Sequence, residues 1–363
     1  MNRRTFVGTS GALAFALATG LPRLETRAQA SYSAIDLGLP DGYDSVMPVA
    51  INNNGVAVVS ATAGDTSAIF LVQDGAFTRL GSKDAIAHAT CIDIDNNAGG
   101  WIQGASDGSG PAPDVPVLLT PTGQVVMPGD QLDGRVFALQ QGGMAVGEAA
   151  IDPKLSDRKA VVWVDQDVSE LKGIPSNAAS AALDINGLGN IAGWIDKLDG
   201  DSTTRMAVML SMDAEPVELG RLGGAYSEAV AVSEQGLVAG NSTTADDQAD
   251  LNANGVAAFL WNEGKITPLL TLDGQAWSKA ADINSFGLVA GTVGLNTPAT
   301  AGAATTAVVW APDAVLDLNL SAQPIEGVTL TSAVSINEIG QILCAGIDAS
   351  GSSHAVLLAT MGN

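Results

Sequence analysis

The stretch Ser278–Gly291, SKAADINSFGLVAG, sets the architecture of this 363-residue chain. It reads as an apolar strand ending at Ile283, a tight turn Asn284-Ser285-Phe286-Gly287, and a second strand closing on Gly291. Small Ala280 and Ala281 suit an inner strand that lies where several strands converge. Asn bonds its own backbone two residues on, and Gly takes the φ > 0 position that restores the ladder. After a variable loop comes Thr306–Trp310, TAVVW, a continuous apolar run that fits a strand covered on both faces. Val315–Leu320, VLDLNL, then alternates as a half-exposed outer strand does. Two hairpins make one four-stranded unit, which cannot bury both faces alone and needs neighbours of its own kind.

The same pattern is written six more times. The turn recurs at Ile51–Gly55, at Ile94–Gly99 with one extra residue that predicts a bulge, and at Leu139–Gly143. It returns at Ile185–Gly189, Val232–Gly236 and Ile336–Gly340. The third strand recurs as Ala68–Val72, Val117–Thr120, Ala160–Val164, Ala207–Leu210, Ala258–Trp261 and His354–Leu358. Trp163, Trp261 and Trp310 hold equivalent places in it, and packing between units explains them better than a sugar-stacking site.

The fourth strand decides between a ring and an open array. It follows the third at Phe77–Leu80, Gln124–Met127, Val168–Leu171, Val217–Leu219 and Ile266–Leu270 as well as Val315–Leu320. The last unit runs out of chain, while Tyr32–Leu39, YSAIDLGL, supplies the missing pattern at the other end. A closed ring has reason to split a unit between its ends, because the shared sheet locks it and removes exposed edges. The fold expected is all-β: a seven-bladed β-propeller with blades near 46–82, 88–130, 135–174, 180–222, 227–272, 278–320, and 331–360 joined by 32–39. A parallel β-helix or solenoid is the alternative, and units that read as hairpins count against it.

Residues 1–30 are set aside from the single domain 31–363. Arg3-Arg4-Thr5-Phe6 precedes a mildly apolar run, and Ala28-Gln29-Ala30 offers a small-residue cleavage site. The paired arginines resemble a twin-arginine (Tat) export signal, with an uncleaved membrane anchor as the alternative. The expected location is secreted, or at the exterior of a bacterial cell envelope, with no membrane insertion once the signal is removed. Removal takes away Arg3, Arg4, Arg23 and Arg27 but only Glu25, moving the formal charge from -23 to -26. Such acidity disfavours nucleic acid and anionic membranes as partners and suits cations. The two cysteines, Cys91 and Cys344, fall in different units, so two buried free thiols are expected rather than a bridge.

These repeats resemble the HAF family of bacterial extracellular repeat proteins, named for a His-Ala-Phe step opening the third strand and for Asn-x-x-Gly turns. Ala258-Phe259 and His354-Ala355 each hold part of that triplet, and Leu219-Gly220-Arg221-Leu222-Gly223-Gly224 matches the family's Leu-Gly-x-Leu-Gly-Gly link. The resemblance covers nearly all of Tyr32–Thr360. It implies extracellular location and repetition, and it hands over no catalytic residue.

In a propeller the loops between second and third strands open on one face with the links between blades, and the Asn…Gly turns lie on the other. The loop face carries Asp107, Asp114, Asp152, Asp157, Asp196, Asp199, Asp201, Asp246, Asp247 and Asp250. Loops on a rigid scaffold concentrate function. His354 and His88, the latter just before a first strand, have no Cys or His at metal spacing, and no nucleophile elbow or P-loop occurs. Asp250-Leu251-Asn252-Ala253-Asn254-Gly255 forms D-x-N-x-N-G, the first half of a calcium loop, with oxygen ligands at alternate positions before the Gly that permits the turn. Trp261 stands where the closing Glu belongs, so Asp246 or Asp247 has to fold back. Calcium at Asp246, Asp250, Asn252 and Asn254 is the one cofactor expectation. The leading functional expectation is a non-catalytic binding or scaffold module for an extracellular protein or glycan. The alternative is an extracellular enzyme acting on glycans or other polymers through loop carboxylates.

Overall fold

The computed structural model describes residues 31–361 apart from 83–86, 106–111, 129–131, 152–156, 166, 200–201, 246–250, 252–254 and 296–303. The expected leader, 1–30, lies outside the described residues. Among the described residues, twenty-eight strands form seven four-stranded antiparallel sheets, and six of these are consecutive in sequence. They run from Ser45 to Leu80, Ala87 to Val126, Gly134 to Glu170, Ser180 to Gly220, Ser227 to Pro268 and Trp277 to Asp317, and are called blades 1 to 6. Blade 7 takes three strands from Val328–Thr360 and its outermost from Tyr32–Asp36. The innermost strand of each blade touches those of both neighbours, blade 7 against blade 1 included, so the ring is closed. The chain is a seven-bladed β-propeller.

Closure is made by several groups together. Tyr32–Asp36 pairs antiparallel with Val356–Thr360, from Tyr32 opposite Thr360 to Asp36 opposite Val356. The flanks are also tied: Ser31 N donates to Ser321 O (2.6 Å), Gln323 N to Tyr32 O (2.8 Å) and Leu37 N to Ala355 O (2.9 Å). Tyr32 is buried against Leu318, Ala322, Val356 and Leu358. His354 Nδ1 lies 2.7 Å from Asp36 Oδ2 and its Nε2 lies 3.6 Å from Asp348 Oδ2, so the histidine clasps the N-terminal strand to its blade.

The turn asparagines do two jobs. Asn284 Oδ1 accepts from Phe286 N (3.1 Å) and Leu288 N (3.2 Å) within its own turn. Its Nδ2 donates to Asn337 O in the next blade (3.2 Å). Asn337 reaches Asn52 O across the closure (3.0 Å), Asn52 reaches Asp93 O (2.9 Å) and Asn186 reaches Ser233 O (2.8 Å). In blades 2, 3 and 5, Asp93, Gln140 and Ser233 hold the same place. Gly287, Gly189 and Gly340 have φ of +74°, +78° and +79°, as the turn reading requires.

Three sequence expectations are corrected. The second turn is Asp93–Asn97 and has no extra residue: Asp93 N donates to Asn97 O, and Asn96, at φ +67°, stands in the glycine position. The bulge lies instead in every inner strand just before its turn, as between Ala280 and Asp282 in blade 6. The outer strand of blade 6 stops at Asp317 rather than Leu320. Asp317 accepts from Asn319 N and caps one helical turn, Leu318–Ser321, while Asn319 is held by Leu330 N and O. Finally, His88 sits inside the inner strand Ala87–Ile92 rather than before it.

Trp163 and Trp310 are buried and Trp261 is half-buried. Trp163 Nε1 donates to Pro128 O (3.1 Å) and Trp310 Nε1 to Leu270 O (2.6 Å), each reaching the preceding blade. Both cysteines are free; Cys344 is buried, and Cys91 is half-buried rather than fully so.

Two outcomes follow for stability. A chain beginning at Gly42 loses the closing ladder and uncovers the flank of Ala355–Leu358, several kcal/mol at roughly 25 cal/mol per Å² of apolar area. It should aggregate or lose cooperative melting, and melting like the chain beginning at Ser31 would refute the closure role. At Gly189 an added Cβ meets nothing within 4 Å, so Gly189→Val should cost about 1–3 kcal/mol from the backbone conformation alone. Gly189→Asn should be close to neutral, as Asn96 already is in blade 2; equal losses for both in urea unfolding would contradict this.

Candidate functional site

Each inner strand enters its blade from the loop face, and the residue two before the bulge stands near that mouth. Those residues are Met47, His88, Arg135, Ala181, Glu228, Lys279 and Ser332 in blades 1 to 7. A repeat position that is otherwise small or apolar therefore carries a histidine, an arginine, a glutamate and a lysine.

The densest group spans blades 2 and 3. Arg135 Nη2 lies 2.6 Å from Asp114 Oδ2, and Arg158 Nη2 lies 2.9 Å from the same oxygen. Arg158 also meets Asp133 (2.7 Å) and Glu148 (2.9 Å). The Arg135 guanidinium lies 4.7 Å from the Trp101 ring centre, and His88 stacks on that indole at 4.9 Å. Burial opposes the Arg158 charge, but the three carboxylates more than offset this and raise its pKa. Burial likewise opposes ionisation of Asp133, yet hydrogen bonds from Arg158 and from Asp114 N hold its carboxyl below the usual range. With two arginines meeting carboxylates from both blades and from the link between them, the group locks blades 2 and 3 together.

A second group joins blades 4 and 5. Arg205 Nε donates to Asp196 Oδ1 (2.9 Å), and its guanidinium lies 3.4 Å from the Trp194 ring centre. Glu228 of blade 5 is half-buried, and burial raises its pKa against the charges of Lys279 and Arg205. Asn241 donates to Ala280 O (3.1 Å) and accepts from Ala280 N (2.8 Å), tying blade 5 to blade 6.

Nearer the turns are two carboxylates, one residue before the last apolar residue of their inner strands. Asp184 Oδ2 accepts from Val232 N (2.7 Å) in the next blade. Asp282 Oδ2 accepts from Ser335 Oγ and Ile336 N (2.8 Å each), and Ser335 Oγ accepts from Ile51 N (3.3 Å). Burial pushes Asp184 up to about 7, and the charge of Asp282 adds to it. Burial pushes Asp282 up to about 6 and the Cys91 thiol up to about 12. Each carboxylate thus bonds its own inner strand to that of the next blade, Asp184 at Val232 and Asp282 at Ser335 and Ile336.

Of the loop aspartates singled out in the sequence, Asp114 and Asp196 are locked by arginines. Asp107, Asp152, Asp201 and Asp247 lie outside the described residues, as do all four expected calcium ligands, Asp246, Asp250, Asn252 and Asn254. The base of their loop is described. It joins the second strand of blade 5, Val238–Thr243, to the third, Val256–Asn262, and Gly255 O accepts from both Thr244 N (2.8 Å) and Thr244 Oγ1 (2.7 Å). Among the described residues, no group of three His, Cys, Asp or Glu side chains could hold a metal ion. Arg135, Arg158, Glu228, Asp184 and Asp282 escaped the sequence reading. For Asp184 and Asp282 the signal is a carboxylate at a repeat position where the other copies carry Ala, Cys or Ser; for Arg135 and Glu228 it is a charge where three copies carry Met, Ala or Ser.

His354 and Lys159 occupy the same repeat position, each two residues before the third-strand Val that faces the inner Gly or Cys. Lys159 is buried and donates to Pro175 O (3.1 Å), Ser176 O (2.8 Å) and Ala178 O, carbonyls of the link to blade 4. Lys159 thus ties a third strand to the link that leaves its blade, whereas His354 ties one to the N-terminal strand and to Asp348.

No protein-family model matches the sequence, and no curated protein matches it. Solved structures do resemble the fold. The β-propeller domain of the Trilobed protease from Pyrococcus furiosus, described with an open velcro topology, aligns at TM-score 0.56 and 7% identity, covering 88% of this chain and 98% of that one. Pyrococcus horikoshii acylaminoacyl peptidase aligns at TM-score 0.56 and 12% identity, covering 88% of this chain and 52% of that one. At these identities the likeness is one of fold, and it places this chain in the β-propeller class.

The inner-strand carboxylates predict a pH dependence. A raised pKa means that the folded chain keeps its proton while the unfolded chain ionises. The contribution is therefore full below about pH 4 and is lost as pH rises toward 7. Asp184→Asn keeps the acceptor for Val232 N and removes the charge. Between pH 4.5 and 8 the variant should gain on the wild type by an order of 3 kcal/mol, at about 1.4 kcal/mol for each tenfold change in proton affinity. Parallel melting curves across that range would refute the burial of this charge.

Proposed function

We propose that this chain is an exported, non-catalytic β-propeller of HAF-repeat type that binds an extracellular protein or glycan through its loop face. The observation that carries this reading is the contrast between the two faces. The second-to-third-strand connections range from Gly64-Asp65 in blade 1 to residues 244–255 in blade 5, while the turns opposite keep one length in all seven blades. Length variation on one face of a uniform scaffold is how a recognition surface is diversified. The locked arginine–carboxylate groups at the mouth suit a rigid platform. Export rests on Arg3-Arg4 and on Ala28-Gln29-Ala30, and replacing both arginines by lysine should leave the protein inside the cell.

Replacing 244–255 by the two-residue connection of blade 1 should abolish binding to the extracellular polysaccharide or protein that the chain from Ser31 captures. The melting temperature should stay within a few degrees. Binding unchanged after this and the corresponding exchange of 295–304 would refute the loop-face assignment.

Calcium at Asp246, Asp250, Asn252 and Asn254 belongs to the same proposal, since calcium accepts irregular oxygen shells. Millimolar calcium should raise the melting temperature of the chain from Ser31, because it binds only the folded loop, and Asp250→Ala should remove the rise. A flat calorimetric titration would leave that loop without a metal.

A second reading, an extracellular enzyme acting on glycans or other polymers, is favoured by Glu228, a half-buried carboxyl with a raised pKa near the channel mouth. Hydrolysis of a polysaccharide by the wild type that Glu228→Gln abolishes would favour the enzyme over the binding module.

A further inference from the structure

The loop face does not account for a groove of about 290 Å³ on the opposite face, between the outer half of blade 5 and the outer hairpin of blade 6, whose apolar lining is interrupted by Asn262 and Thr267. Trp310 forms its floor, and Leu260, Pro268, Leu270, Pro312 and Gly287 line it. Leu270 is 58% exposed along it. Gly287 carries the surface on to Phe286, which is 56% exposed, at the tip of the blade 6 turn. That turn is bonded to the blade 7 turn through Asn284 and Asn337 (3.2 Å) and through Ser285 N and Glu338 Oε2 (3.1 Å). Ile339, 61% exposed at the blade 7 tip, therefore continues the strip. Exposed apolar surface that runs on from a groove in this way marks an interaction site more often than scattered single residues do.

Two features decide what fits. The outer strand of blade 5, Lys265–Pro268, presents an open edge to the groove, but Pro268 has no N–H to give an added strand. Recognition therefore falls to side chains entering the groove rather than to backbone pairing. The charges at its lips are acidic: exposed Glu263 tips the hairpin of blade 5 and exposed Asp313 that of blade 6, with Glu338 beside Ile339. Lys265 lies in the wall between them. We propose that this groove and strip dock a segment of a partner protein that presents apolar side chains flanked by Lys or Arg. An apolar centre excludes water while the acidic lips set orientation and select against acidic partners. This site is on the face opposite the variable loops, so it stands or falls independently of loop-face binding.

The probe is a fluorescein-labelled peptide of about ten residues with two leucines between lysine pairs, run with a serine-for-leucine twin and a glutamate-for-lysine twin. Anisotropy with the chain from Ser31 should show saturable binding of the lysine–leucine peptide alone. Leu270→Ser and Phe286→Ser should each weaken it about tenfold. Both side chains are exposed, so the melting temperature should hold. The double variant Glu263→Lys/Asp313→Lys should lose this peptide and gain the glutamate twin. Equal binding of the serine twin, or an equal loss from Asp44→Lys, an exposed acid of the other face, would reduce the effect to net charge and overturn the proposal. Absence of saturable binding would overturn it too. So would self-association in sedimentation that Leu270→Ser abolishes, because the groove would then belong to a second copy.

Discussion

The antiparallel pairing of Tyr32–Asp36 with Val356–Thr360 is the constraint on which the rest depends. Seven sheets that each bury their faces on neighbours have no intrinsic end, so the first and last must meet or leave apolar surface in water. Joining them through one sheet built from both termini makes separation of blades 7 and 1 equivalent to stripping a strand. The contacts around that strand belong to different distances along the chain. Ser321 and Gln323 come from the link into blade 7, Asp36 and His354 from the two termini, and Leu318 from the helical turn that ends blade 6. Asp317 stops its strand early, and this is what delivers Leu318 to the closure.

Within the ring, adjacent blades are held by apolar packing and by a small set of polar ties that differ from joint to joint. Asparagine relays link blades 1 and 2, 4 and 5, 6 and 7, and 7 and 1. Between blades 2 and 3, where Asp93 cannot donate, Thr90 Oγ1 donates to Val136 O (2.7 Å) and the arginine–carboxylate lock crosses the loop face. Between 5 and 6, where Ser233 replaces asparagine, Asn241 makes both bonds to Ala280. A polar tie lost at one position of the repeat is replaced at another, which keeps buried backbone groups paired.

The two faces follow from this arrangement. On the turn face the relays fix loop length, so variation there is confined to the side chains at the tips, and Leu188, Phe286 and Ile339 point outward. On the loop face the second-to-third-strand connections differ in length, from Gly64-Asp65 in blade 1 to residues 244–255 in blade 5. The mouth between them is charged but internally neutralised, with arginines and carboxylates consuming one another, so a negative overall charge coexists with few unpaired charges among the described mouth residues.

The sequence by itself determined the blade count, the strand order within each blade, the closing strand and the glycine positions of the turns. These rest on alternation over a few residues and on turn chemistry, which are local properties. It misplaced the second turn, because Asn96 can adopt a left-handed backbone without a glycine to announce it. It also ran the blade 6 strand through Asp317, because VLDLNL alternates whether or not Asp317 caps a helix. Only the tertiary structure decided that Arg158 meets Asp114 from the preceding blade, or that Asp184 and Asp282 each accept from a backbone N–H of the next blade. Those meetings depend on which faces of separate sheets come together, and nothing within a repeat records what its neighbour presents.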